Sequence, residues 1–181
     1  MGKILFILGG ARSGKSAFAE GMAAEYGKKG AFVLYLATCA RHRDDGEMER
    51  RILSHQARRP DAWKTMEEPE DPGRRIGEMP DNSVVLVDCL SLWVSGLLMA
   101  SPEEGNAAVE RVLGKVREFF QGAAKALCDV IVVSSEVGAG VVPPSPLGRL
   151  YRDVLGLANQ EGAKAADEVW FVVAGLPRRL K

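Results

Sequence analysis

The chain has 181 residues, with 24 Lys plus Arg against 24 Asp plus Glu and a formal net charge of zero. That length sets one domain over residues 1–181 as the expectation, with room for a sizeable core. The charge balance argues against a nucleic-acid binder, which ordinarily carries a basic surplus.

Taken in order, Lys3–Leu8 is a short apolar run and reads as a buried parallel strand. Gly9-Gly10-Ala11-Arg12-Ser13-Gly14-Lys15-Ser16 follows it, and Ala17–Tyr26 reads as a helix. Gly27–Gly30 makes a turn, and Ala31–Thr38 is the second strand. Arg41–Asp45 is a polar loop. Glu47–Arg58 has helical periodicity, with Met48, Ile52 and His55 spaced to share a face, and Pro60 ends it. The stretch 66–82, rich in Pro and Gly, reads as surface connection with room for one short helical turn. Ser83–Asp88 is a continuous β-branched strand and Leu90–Met99 a largely apolar helix. Ser101, Pro102 and Glu104 form an N-cap, first-turn proline and capping box for a helix reaching about Leu127. Asp129–Ser134 is a strand, 138–146 a long Gly- and Pro-rich loop, Leu147–Ala165 a helix and Glu168–Ala174 the last strand. Strands alternating with helices imply right-handed βαβ units around a mainly parallel sheet flanked by helices, a three-layer α/β fold.

No apolar run approaches the roughly 18 residues of a membrane span. The N-terminal residues read as strand and loop and not as an export signal, which sets a cytoplasmic location as the expectation. Cys39, Cys89 and Cys128 lack the C-x-x-C spacing of a zinc site or a disulfide framework.

Gly9, Gly14, Lys15 and Ser16 satisfy the pattern G-x-x-x-x-G-K-[ST] between a strand and a helix, the context of a phosphate-binding loop. Its glycines let backbone N–H groups curl around phosphate oxygens, and the helix N-terminus adds partial positive charge. Lys15 is placed to reach the β- and γ-phosphates, and the Ser16 hydroxyl to hold Mg²⁺. Asp88 closes an apolar strand, where an acid in such proteins holds the same ion directly or through water; the other reading is an acid that caps the following helix. His55 stands before Gln56, Ala57, Arg58 and Arg59. The two arginines suit phosphate oxygens, and nearby cations disfavour the protonated imidazole, which leaves a nucleophile able to attack phosphorus. On spacing alone, a surface histidine on an amphipathic helix is the favoured reading. His42, between Arg41 and Arg43, reads as a solvated charge cluster. Ala37, Thr38 and Cys39 end the second strand. The loop 138–146 follows a strand, where ligands bind in open α/β sheets. Glu67 has the carboxylate to grip a ribose or base.

Together these segments resemble the bifunctional adenosylcobinamide kinase/adenosylcobinamide-phosphate guanylyltransferases of cobalamin synthesis. The likeness lies in Gly9–Ser16, Leu36-Ala37-Thr38, Asp45–Met48, Arg51–His55, Arg59-Pro60 with Trp63, Glu136–Pro143, Arg152-Asp153, Asn159-Gln160 and Ala166–Val169, nearly the whole chain. The resemblance implies a RecA-like P-loop fold and a homotrimer. It implies phosphorylation of adenosylcobinamide with ATP or GTP, then transfer of GMP from GTP through a guanylylated histidine, which aligns with His55. Nucleotide contacts carry over to Gly9, Gly10, Ala11, Arg12, Ser13, Gly14, Lys15 and Ser16, to Ala37, Thr38 and Cys39, to Gln56, Ala57, Arg58 and Arg59, and to Glu67 and Asp88. Ser135 departs from the family by standing where asparagine is expected, and Ser54 where some members have a second histidine. The residues by themselves also fit a single-activity kinase of another small hydroxyl compound, or an NTP-driven switch. The chain has no N-K-x-D guanine-reading motif, so guanine selectivity comes from the resemblance alone.

Overall fold

A computed structural model describes residues 1–39, 59–68, 70–101 and 105–181. Among these residues seven strands form one sheet: β1 (Ile4–Gly9), β2 (Phe32–Ala37), β3 (Lys64–Glu67), β4 (Ser83–Asp88), β5 (Asp129–Ser135), β6 (Glu168–Val173) and β7 (Leu176–Arg179). Their order is β3-β2-β4-β5-β1-β6-β7. All neighbours run parallel except β6 and β7, which are antiparallel. Among the described residues the helices are α1 (Lys15–Lys28), α2 (Pro72–Gly77), α3 (Leu90–Met99), α4 (Gly105–Lys125) and α5 (Pro146–Ala165).

The apolar strands have no polar face because both faces are covered. Ile4 and Phe6 of β1, with Val85, Val87, Val130 and Val132, face α2 to α5. Leu5 and Ile7, with Val84, Leu86, Ile131 and Val133, face Ala19 and Ala23 of α1. This period-2 split makes three layers, α1 on one side and the remaining described helices on the other. Phe6 meets Phe120 edge-on at 6.0 Å, and Phe119 lies between Phe120 and Trp93. These rings anchor α4 to the sheet.

Two strands were not legible in the sequence. β3 is four residues, mostly exposed, with no apolar run to announce it. β7 is exposed along its length and contains Pro177, which is tolerated because β7 is an edge strand. Ala174 (φ 50°) and Gly175 (φ 81°) join it to β6, both left-handed as a two-residue hairpin turn of type I′ needs. The predicted helix over 47–58 lies outside the described residues. The helix expected from Ser101 is described from Gly105 to Lys125, and its capping box at Pro102–Glu104 lies outside them. The short turn expected within 66–82 is α2, capped by the Asp71 carboxylate, which accepts from the Arg74 N–H at 3.1 Å.

Candidate active site

The parallel register brings the strand ends into one row. Glu67 pairs with Ala37, Ala37 with Asp88, and Asp88 with Val133; Gly9 lies between Ser135 and Val172. The candidate residues from β1, β2, β3 and β4 therefore share the carboxyl edge of the sheet. β1 sits between β5 and β6 while its chain continues to β2 on the far side of β4, so the phosphate loop leaves the sheet where its winding reverses.

The loop is built by its glycines. A Cβ on Gly9 would lie 2.5 Å from Ser13 Oγ and 2.7 Å from the Val172 carbonyl oxygen. Gly14 is the helix N-cap at φ 94°, and Arg12 also has positive φ, at 56°. The turn closes through Ser13 N–H to the Gly10 carbonyl at 3.3 Å. Ser13 is buried, and its carbonyl accepts from the Gly175 N–H at 2.8 Å. The β6–β7 hairpin tip thus seats against the loop. On the opposite side the Glu136 N–H donates to the Gly9 carbonyl at 3.0 Å, tying the start of the 136–145 loop to it. Lys15 Nζ donates to the Gly10 carbonyl at 3.1 Å and so arches back over its own loop. Ser16 follows it as the second residue of α1.

Asp88 is held from β2. Tyr35 is 3% exposed, and its hydroxyl donates to Asp88 Oδ2 at 2.6 Å. Burial first, then the Asp88 charge, pushes the Tyr35 phenol far above its ordinary range, so it stays a donor. A neutral hydroxyl on a carboxylate is a charge-assisted bond, of order 1.5–3 kcal/mol. The Arg59 guanidinium carbon lies 3.3 Å from the Tyr35 ring centroid, and Arg59 Nη1 donates to Thr65 Oγ1 at 3.2 Å. Thr38 is buried, and its hydroxyl donates to the Cys89 carbonyl at 2.7 Å and accepts from the Cys89 N–H at 3.0 Å. Its side chain thus clamps the end of β2 to the start of α3. The peptide joining Asp88 to Cys89 is cis. Burial pushes the Cys89 thiol up to about 11, so it is protonated at neutral pH.

Cys39 is half-buried and Glu67 exposed at the ends of β2 and β3. His55, Gln56, Ala57 and Arg58 lie outside the described residues. Tyr35 has no motif around it, and its one signal in the sequence is a polar atom in the otherwise apolar strand Phe-Val-Leu-Tyr-Leu-Ala. Asn159 is buried, accepts from Ser134 Oγ at 2.7 Å and donates to the Ser135 carbonyl at 3.0 Å, contacts that its spacing does not announce. That amide fixes α5 to the end of β5 below the Gly- and Pro-rich loop, which Arg149 holds by donating to the Pro143 and Pro144 carbonyls.

Ser16 and Asp88 offer hard oxygen donors, which suit Mg²⁺. Among the described residues no three His, Cys, Asp or Glu side chains cluster as a metal site. Among the same residues no helix is long and apolar enough to cross a membrane.

A family model described as cobinamide kinase / cobinamide phosphate guanyltransferase matches residues 5–180. The chain is 42% identical over 176 residues to the bifunctional adenosylcobalamin biosynthesis protein CobP of Pseudomonas aeruginosa, covering 97% of this chain and 95% of that protein. It is 35% identical over 186 residues to the corresponding protein CobU of Escherichia coli K12, covering 98% and 99%. Among solved structures, an ATPase of the type III secretion system of pathogenic bacteria superposes with a TM-score of 0.59 at 14% identity, over 99% of this chain and 57% of that one. At that identity the likeness shows the fold alone, that of the P-loop ATPases.

Proposed function

Because the chain belongs to the cobinamide kinase / cobinamide phosphate guanyltransferase family, we propose that both of its reactions use one nucleotide site on Gly9–Ser16, and that guanylyl transfer passes through His55. The enzyme is a bifunctional kinase and guanylyltransferase of adenosylcobalamin biosynthesis, with nucleoside triphosphates and a corrinoid as substrates. The observation that carries the one-site reading is the convergence of the Gly9–Ser16 loop and Asp88 on a single sheet edge.

In the kinase step the corrinoid hydroxyl oxygen attacks the γ-phosphorus, the bond from that phosphorus to the β,γ-bridging oxygen breaks, the nucleoside diphosphate leaves, and the hydroxyl proton passes to solvent. The loop N–H groups and Lys15 stabilise the charge that develops on the transferring group. Lys15 must swap the Gly10 carbonyl for phosphate oxygen to do so. Ser16 and Asp88 would hold Mg²⁺, which when bound neutralises phosphate charge.

In the guanylyl step a neutral His55 nitrogen attacks the α-phosphorus of GTP, the bond to the bridging oxygen breaks, and pyrophosphate departs into the same loop. The imidazole loses its N–H proton, and a phosphoramidate results. An oxygen of the corrinoid phosphate then attacks that phosphorus, the P–N bond breaks, and His55 takes a proton back. His55 precedes Arg59 by four residues, a reach of about 14 Å when extended. Arg59 itself is seated on Tyr35 beside Asp88, which supports placing His55 within range of this edge. Nucleotide contacts from Ala37, Thr38, Cys39, Gln56–Arg59 and Glu67 belong to the same reading, as do the adenosylated corrinoid, a single domain over 1–181, a homotrimer and a cytoplasmic location.

The test is to separate the reactions. His55→Ala should phosphorylate cobinamide from ATP at nearly the parent rate and form no GDP-cobinamide. Equal loss of both activities with an unchanged melting temperature would refute the assignment of His55 to the second reaction.

A further inference from the structure

The four residues of β7 are all exposed, so core packing does not explain why the chain turns back after β6. What the hairpin contributes lies at its tip. β1 and β6 are parallel neighbours with Gly9 opposite Val172, so the phosphate loop and the β6–β7 turn leave the sheet side by side. Their backbones meet at two points. The Gly175 N–H donates to the Ser13 carbonyl at 2.8 Å. A Cβ on Gly14 would lie 3.2 Å from the Gly175 Cα, closer than ordinary van der Waals contact.

We propose that Gly175 is a positioning residue for phosphate binding: its N–H holds the Ser13 carbonyl on the hairpin side and so keeps the Ser13–Gly14 peptide turned with its N–H toward the nucleotide. The inference rests on the reading of Gly9–Ser16 as the phosphate cradle.

A trans peptide is planar, and its C=O and N–H point in opposite directions. With the Ser13 oxygen on Gly175, the Gly14 N–H therefore points away from the hairpin. Gly14 is the N-cap of α1, so its N–H stands beside the first N–H groups of the helix, which have no intrahelical acceptor and suit an anion. Reversed, the same peptide would present a carbonyl oxygen to phosphate. Glycine at position 14 gives that peptide little steric resistance to turning, so the orientation needs a partner. The other bonds of Ser13 are long and leave its carbonyl alone: its N–H reaches the Gly10 carbonyl at 3.3 Å, and its Oγ accepts from the Lys15 N–H at 3.4 Å. The tip is built to aim one donor. Pairing of Val173 with Leu176 sets the register, and the left-handed Ala174 and Gly175 close the turn. A Cβ on Gly175 would meet nothing within 4 Å, so glycine stands there for its φ of 81° and not for space.

The experiment replaces the Ala174–Gly175 amide by an ester in the full chain, made by joining residues 1–173 to a synthetic 174–181 peptide. The ester keeps the turn and removes one N–H. Inorganic pyrophosphate, titrated by calorimetry, should bind about tenfold more weakly than to the all-amide chain made in the same way, and GTP should weaken by the same factor. Linkage requires the reciprocal effect in the parent: saturating pyrophosphate should slow hydrogen exchange at the Gly175 N–H about tenfold. That measurement needs no variant and decides the question if the ester chain does not fold. Parent-like pyrophosphate affinity in the folded ester chain, or exchange at Gly175 unmoved by pyrophosphate, would overturn the role of Gly175. Parent-like pyrophosphate affinity in Lys15→Ala would instead remove the phosphate-cradle reading on which the proposal stands.

Discussion

At Gly9 a side chain has nowhere to go. A single added carbon would approach Ser13 Oγ to 2.5 Å and a backbone carbonyl to 2.7 Å, and the carbonyl belongs to β6 and cannot yield. Gly9→Ala must therefore displace the loop it opens, at about 1–3 kcal/mol of strain. The expected outcome is GTP affinity reduced at least about tenfold, measured by calorimetry, with the sheet still formed by circular dichroism. Unchanged affinity would mean the loop does not need its present path. The glycine loop between β1 and α1 was legible because its pattern is a spacing along the chain. The contact of Tyr35 was not, because it arises only when β2 and β4 lie side by side and residues 35 and 88 come within reach. Thr38 was legible as a strand-end residue, yet its hydroxyl is engaged with the Cys89 backbone, a contact across 51 positions that spacing does not reveal.

At the scale of elements, helix α5 approaches the sheet through Gly162. A Cβ there would meet Phe6 at 2.8 Å and Phe120 at 2.9 Å, both ring tips within the core. Gly162→Ala gains up to about 1 kcal/mol of helix propensity but overpacks two rings, which costs about 1–3 kcal/mol. A net loss of about 1–2 kcal/mol in urea unfolding is expected; a net gain would show that the rings shift freely. The strands with continuous apolar runs and the helices with apolar stripes were readable from pattern. β3 and β7 were not, because an exposed edge strand has no inward face to impose a period. The hairpin between β6 and β7 still matters to the site, since Gly175 donates to the Ser13 carbonyl of the phosphate loop.

For the whole molecule, buried and half-buried neutral acids set the alkaline limit. Burial raises Tyr26 and Tyr151 from 10.0 to about 12, and Cys89 from 9.0 to about 11. Each has a folded pKa above its unfolded one, so its contribution is complete below the unfolded value and is lost as pH rises through the folded one. Stability should hold to about pH 9 and fall between pH 9 and 12, read as the urea midpoint at stepped pH. A flat midpoint across that window would contradict the assigned burial. The three-layer fold gathers loop, carboxylate and Arg59 at one edge, where the proposed function has one phosphate cradle serve attack at two different phosphorus atoms. The direct measurement is to incubate the protein with GTP labelled at the α-phosphate and Mg²⁺, denature it, and assay acid-labile, alkali-stable label. The parent should carry that label and His55→Ala should carry none while still phosphorylating cobinamide; a fully labelled His55→Ala protein, or an unlabelled parent, would contradict it.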